Sequence, residues 1–262
     1  MSQAELYQWC DEIRKHLPEL KKWQALGLAL FSMGIVLAER CTLSKVAEKL
    51  MWRGKADSIE RQFQRLLANP RLEVTGLFSA WTHWISSSMA SEEITLLVDE
   101  TKLGKHLGVM VVGVAYRSCC IPLAWRCYHF DAYPVEGQVG LIQALLSQVK
   151  AGLTAQHQVK VEVDRGIGTS PLLVKAIQAL EFDFLFRVQG TTRFKSKQGK
   201  EYPLRQLVKM GEHWTGSGYV FKKHGWLQVH VYVYWELGYP DLWCLISNRD
   251  DLHGRDYAIR YW

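Results

Sequence analysis

Residues 93–103 read EITLLVDETKL, and this stretch decides how the rest of the chain is to be arranged. Ile94 to Val98 is a short apolar run, the signature of a buried strand, and it ends at an acid, Asp99. VMVVGVAY (109–116) and IPLAWRC (121–127) follow as second and third strands, both rich in β-branched or aromatic residues. EGQVGLIQALLSQVKAGL (136–153) is helical, with Val139, Ile142, Leu145, Leu146 and Val149 on one face. VKVEVDRGIG (159–168) is a fourth strand running into Asp164. SPLLVKAIQALE (170–181) is a second helix, capped by Ser170 with Pro171 at its first position. FDFLFRV (182–188) is a fifth strand. The order β-β-β-α-β-α-β describes an open mixed α/β sheet with an acid at the end of its first strand and another at the end of its fourth.

That pairing of acids has a chemical use. Strand ends hold side chains rigidly, and clefts in open sheets lie off the strand edges. If the first and fourth strands are neighbours, Asp99 and Asp164 converge although 65 residues separate them. Two such carboxylates repel unless a cation sits between them. Mg²⁺ prefers oxygen ligands and commonly takes one or two carboxylates together with substrate phosphates. Each acid by itself also reads as a cap or turn residue, Asp164 opening an Asp-Arg-Gly turn. The metal reading rests on the pair.

Upstream, residues 1–90 read as a helical domain. Leu43, Val46, Ala47 and Leu50 share a face in TLSKVAEKL (42–50), with Thr42 as N-cap. In SIERQFQRLLANP (58–70), Ile59, Phe63, Leu66 and Leu67 do the same, with Ser58 as N-cap and Asn69-Pro70 as the stop. Two short helices across the glycine-bearing turn WRGKAD (52–57) resemble a helix-turn-helix, a DNA-binding arrangement, with Arg61 and Arg65 off the apolar face. Beyond residue 190, TGSGYVFKK (215–223) and WLQVHVYVYWEL (226–237) read as antiparallel strands of a β-rich insertion spanning about 190–250.

Charge is concentrated in that insertion. Residues 191–230 carry eight basic and two acidic side chains, equal to the net charge of +6 for all 262 residues. Lys195, Lys197, Lys222 and Lys223 lie in this segment and suit a polyanionic partner. Other function classes find no support. The longest apolar run, Trp23 to Ala38, falls short of the roughly 20 residues of a membrane span and reads as a core helix. The N-terminus is polar, unlike a signal peptide. Six cysteines without a CxxC pair point to a reducing cytosol. His106 and His129 lack zinc-ligand spacing, and no GxSxG motif occurs.

LLVDETKL (96–103) and VEVDRGIGTSPLL (161–173), followed by FDFLFRVQG (182–190), resemble the first and second acidic motifs of the DDE transposases of the insertion sequence 4 family. RQFQRLLANPRLEV (61–74) resembles their N-terminal segment, and the resemblance extends over nearly the whole chain. It implies a ribonuclease H-like catalytic domain over 91–262 with the β-rich insertion inside it, and cleavage and joining of double-stranded DNA at transposon ends by phosphoryl transfer. It implies two Mg²⁺ or Mn²⁺ ions held by Asp99 and Asp164 with a third acid, DNA contacts by the basic insertion, a homodimer on paired ends, and a prokaryotic, nucleoid-associated protein. The family signature of Tyr, two residues, Arg, three residues and Glu is met in its first part by Tyr257 and Arg260, which the resemblance places on DNA phosphate. The Glu falls two residues beyond Trp262, so the catalytic domain is expected to be incomplete at its C-terminus. Two readings follow: a transposase-like protein with impaired chemistry, or a DNA-binding remnant without catalysis.

Overall fold

The computed structural model describes residues 3–250. The chain divides between Ile85 and Ser86 into two compact units.

The first unit contains α1 (Gln3–His16), α2 (Lys22–Ala38), α3 (Leu43–Lys49) and α4 (Ala56–Leu67), and α5 (Phe78–Ser87) carries the chain across the division. Leu6, Cys10 and Ile13 of α1, Leu30 and Met33 of α2, Val46 and Ala47 of α3, and Ile59 and Phe63 of α4 form one core. The periodicity of the third and fourth helices accounts for their buried faces. Leu67 is the exception. It is 60% exposed because Ile59, Phe63 and Leu66 centre the apolar stripe and leave Leu67 on its flank. The α4 N-cap is Lys55 rather than Ser58, so that helix begins three residues earlier than its cap signal implies. Asp57 then lies in the first turn, where a negative charge complements the helix dipole. Gly34 lets α2 and α3 approach closely: a Cβ there would sit 2.5 Å from Val46 Cγ1. Among the described residues no single helix is long and apolar enough to cross a membrane.

The second unit is built on one ten-stranded sheet. Its strands are β1 (Glu93–Leu103), β2 (Leu107–Tyr116), β3 (Cys119–His129), β4 (Gln158–Val163), β5 (Asp183–Val188), β6 (Arg193–Ser196), β7 (Glu201–Pro203), β8 (His213–Val220), β9 (Leu227–Tyr234) and β10 (Trp243–Ser247). They lie in the order β3-β2-β1-β4-β5-β10-β9-β8-β6-β7. The meander β1-β2-β3 is antiparallel, whereas β1, β4 and β5 are mutually parallel. Parallel neighbours require crossover helices. These are α6 (Gly137–Gly152), packed on β2 and β3, and α7 (Pro171–Ala179), packed on β5. Ser170 caps α7 as its sequence implies, its hydroxyl accepting from the Leu173 N–H, with Pro171 at the first position.

Strand alternation sorts the side chains. Ile94, Leu96 and Val98 of β1, Met110, Val112 and Val114 of β2, Val159, Val161 and Val163 of β4, and Phe184 and Phe186 of β5 are all buried on one face. Leu141, Ile142, Leu145, Leu146 and Val149 of α6 are buried too. Burying each such side chain contributes roughly 1.5–3 kcal/mol.

The cysteines give a direct check on this packing. Cys41, Cys119, Cys120 and Cys127 are exposed free thiols, whereas Cys10 and Cys244 are buried. Burial pushes the Cys244 thiol up to about 12, so it stays protonated and unreactive at ordinary pH. Iodoacetamide at pH 8 is expected to modify four cysteines of the native chain, and Cys10 and Cys244 only after unfolding. Peptide mass mapping reads this out, and rapid native labelling of Cys244 would contradict the β5-β10-β9 core. Cys120, whose pKa is raised by partial burial, should react slowest of the four.

Candidate active site

β1 and β4 are neighbours, and their register is what brings the two aspartates together. Leu96 pairs with Val161 and Val98 with Val163, so Asp99 and Asp164 are the next residues on two adjacent parallel strands. Adjacent strands lie about 4.8 Å apart. Both aspartates are exposed, and both line one cleft of about 500 Å³ with Glu100, Lys102, Tyr133, Gln138, Gly166 and Ile167.

Their surroundings differ. The Asp99 side chain makes no hydrogen bond or ion pair among the described residues. Asp164 also opens the Asp-Arg-Gly turn: its Oδ1 accepts from the Gly166 N–H at 2.9 Å and the Ile167 N–H at 3.2 Å. One oxygen is therefore spent on the backbone and Oδ2 is left for the cleft. The turn is locked further by the Gly168 N–H, which donates to the Asp164 carbonyl at 2.7 Å. Gly168 has to be glycine, since a Cβ there would lie 2.5 Å from the Arg187 carbonyl oxygen of β5. The next residue after Asp164, Arg165, pairs with Asp241 at 3.3 Å.

The part of the lining built around Glu100 was not legible in the sequence. β1 continues past Asp99 to Leu103, which alternation turns toward the α6 side at Glu100. Glu100 nonetheless lines the same cleft. The Tyr133 hydroxyl donates to its Oε2, and so does Gln138 Nε2 at 3.1 Å. Gln138 also donates to the Tyr133 hydroxyl at 3.1 Å, and Tyr133 stacks on Tyr128 with ring centroids 5.1 Å apart. Burial opposes ionisation of Glu100, but the Tyr133 hydrogen bond, joined by Tyr128, Gln138 and Lys102, outweighs it and holds the carboxyl below its ordinary value. Burial, then the bond to Glu100, raises Tyr133. A one-residue step from Asp99 to Glu100 carries no pattern by itself; the wall depends on side chains 33 and 38 residues later.

Hard oxygen donors from Asp99 and from Asp164 Oδ2, facing a cleft open to solvent, fit a divalent cation of the Mg²⁺ or Mn²⁺ type. Among the described residues no group of three or more His, Cys, Asp or Glu side chains is placed to hold a metal.

The remaining candidates are spread over the chain. Arg61 and Arg65 are exposed on α4. Lys195 on β6 and Lys222 in the turn after β8 converge on Trp226, at 4.5 Å and 5.9 Å from its ring centre. Lys195 also lies 5.1 Å from the Tyr219 ring. Lys222 is partly neutralised by Glu201 at 2.7 Å, whereas Lys197 and Lys223 are exposed. Tyr257 and Arg260 lie outside the described residues.

Fold and cleft together define an α/β protein whose mixed sheet presents two carboxylates at adjacent parallel strand ends. No protein-family model matches the sequence, and no curated protein matches it. Among solved structures the chain is similar to one described as the cryo-EM structure of a piggyBac transposase synaptic complex with hairpin DNA, at a TM-score of 0.49 and 10% identity. That likeness covers 92% of this chain and 56% of the other, so the chain spans little more than half the length of that transposase.

Proposed function

We propose that this chain is a transposase-like protein of ribonuclease H-like architecture, which binds double-stranded DNA and uses Asp99 and Asp164 to hold Mg²⁺ or Mn²⁺ for phosphoryl transfer. One observation carries the reading: the aspartates follow the paired residues Val98 and Val163 on neighbouring parallel strands and open into one cleft. The strand order β3-β2-β1-β4-β5, three antiparallel strands followed by two parallel ones, supports the ribonuclease H-like assignment. The family resemblance of the motifs around both aspartates supports the choice of DNA as substrate.

Each residue has a defined part. The Asp164 turn fixes Oδ1 on backbone N–H groups, so Oδ2 is presented in one direction without further ordering. Asp99 stands on a strand paired on both sides, which fixes its backbone. A bound divalent cation would supply charge neutralisation of a phosphodiester and activation of the attacking oxygen. The lysines around Trp226 and the α4 arginines would bind phosphates along the duplex, with little sequence preference.

The test measures binding of a fluorescent 30-base-pair duplex across a salt series, with and without Mn²⁺. Affinity is expected to fall linearly on logarithmic axes as salt rises, losing roughly 10³-fold or more between 50 and 200 mM if six or more phosphates are neutralised. Mn²⁺ should tighten binding of the native chain and leave Asp99→Asn unaffected. Salt-insensitive binding, or a Mn²⁺ effect retained in Asp99→Asn, would falsify the proposal.

A further inference from the structure

We propose that Lys102 meets a backbone phosphate of DNA in the aspartate cleft, and that Glu100 holds its ammonium group in place; this rests on the DNA-processing reading above. The cleft is lined by three acids, and with a divalent cation on Asp99 and Asp164 the third, Glu100, would still repel a polyanion unless a further positive charge stood beside it. Among its described lining residues Lys102 is the one that carries positive charge.

The placement of Lys102 is built rather than incidental. It stands two residues after Glu100 on β1, so the two side chains share a side of the strand. Its cross-strand partner on β2 is Gly108, which has no side chain to crowd it. Its Nζ lies 3.6 Å from Glu100 Oε1, and the lysine side chain remains 51% exposed. Glu100 is arranged to serve that contact. Oε2 is taken by Tyr133 and Gln138, whereas Oε1 is the carboxylate oxygen that faces the ammonium. At 3.6 Å the lysine is oriented without being consumed, since an ammonium carries three donors and this separation exceeds hydrogen-bond length. A phosphate oxygen entering the cleft would find those donors in the same lining as the Asp164 turn.

The experiment titrates a fluorescent 20-base-pair duplex with the full chain and with Lys102→Met, Lys102→Gln and Lys102→Arg. Lys175→Met on α7 serves as a control for loss of one exposed positive charge. Lys102→Met and Lys102→Gln are expected to bind roughly three- to tenfold more weakly, with the slope of log affinity against log salt smaller by about 0.9. Lys102→Arg should keep the native slope, and so should Lys175→Met. If both neutral Lys102 variants, folded by circular dichroism, match Lys175→Met in affinity and slope, the assignment of Lys102 is overturned while DNA binding stands. If the native chain shows no salt-dependent binding, the function proposed above fails and this inference with it.

Discussion

Asp164→Asn is expected to lose divalent-cation binding while keeping the native fold, and Asp164→Ala to lose both cation binding and part of its stability. The difference follows from the two jobs of one side chain. Asparagine retains a carbonyl oxygen in the position of Oδ1, so the Gly166 and Ile167 N–H groups keep their acceptor. What it lacks is the negative charge on the oxygen facing the cleft. Alanine removes the acceptor as well and leaves the Gly166 N–H of a tight turn to water, whereas the Ile167 N–H keeps the Asp164 carbonyl at 3.2 Å, so the cost is about 1 kcal/mol. Loss of an outer-sphere partner lowers metal affinity by roughly 10–100-fold, so loss of a charged ligand should cost at least about 100-fold. Mn²⁺ binding followed by electron paramagnetic resonance, beside thermal melts with and without the ion, separates the effects. The native chain should gain melting temperature from Mn²⁺ and both variants should not. If Asp164→Asn keeps the Mn²⁺ gain, Asp164 is a turn residue only and the cleft is not a metal site.

This division of labour also explains what the sequence could and could not reveal. β1, β4 and β5 are legible because parallel strands in the middle of a sheet are continuous apolar runs, and their terminal acids stand out against them. Adjacency of β1 and β4 was conditional in the sequence; the parallel register Val98 to Val163 supplies it. β6, β7 and β10 carry no comparable signal, being four, three and five residues long and formed by pairing with neighbours already in place. The α4 start was misplaced for a local reason, because Ser58 is a good cap residue but Lys55 already has the extended backbone of the cap position. The Glu100 wall could not be read at all. Its partners Tyr133 and Gln138 sit in the β3-to-α6 connection and the first turn of α6, and only the folded sheet brings them to β1.

Lys160→Ala is expected to destabilise the chain by about 3–5 kcal/mol, the usual cost of removing one partner of a buried ion pair. Lys160 and Glu162 are 0% and 1% exposed on the face of β4 that also carries Asp164. The lysine Nζ lies 2.8 Å from Glu162 Oε1 and 4.0 Å from Glu93 Oε1. Glu93 in turn faces Arg249 at 3.7 Å, and Arg249 lies 3.8 Å from Asp183. Among the described residues three acids thus lie around two cations, and removing Lys160 takes from Glu162 the ammonium 2.8 Å away. For a domain of this size the loss corresponds to a fall in melting temperature of roughly 6–20 °C.

Burial alone does not make such a pair stabilising, because desolvating two charges consumes most of their attraction. The double variant Lys160→Met with Glu162→Leu is therefore expected to recover most of the loss, since it removes both charges and refills the space. Recovery would show that β4 tolerates an apolar core here and that the penalty lies in burying the Glu162 carboxylate without its lysine. A single-variant cost below about 1 kcal/mol would mean instead that Glu162 does not depend on Lys160 for its charge balance. Position matters as well as stability. Glu162 stands two residues before Asp164 on the same side of the strand, opposite Leu97 in the register that leads to Asp99. A loosened β4 would shift Asp164 relative to Asp99, so Mn²⁺ affinity in Lys160→Ala should fall with stability and return in the double variant.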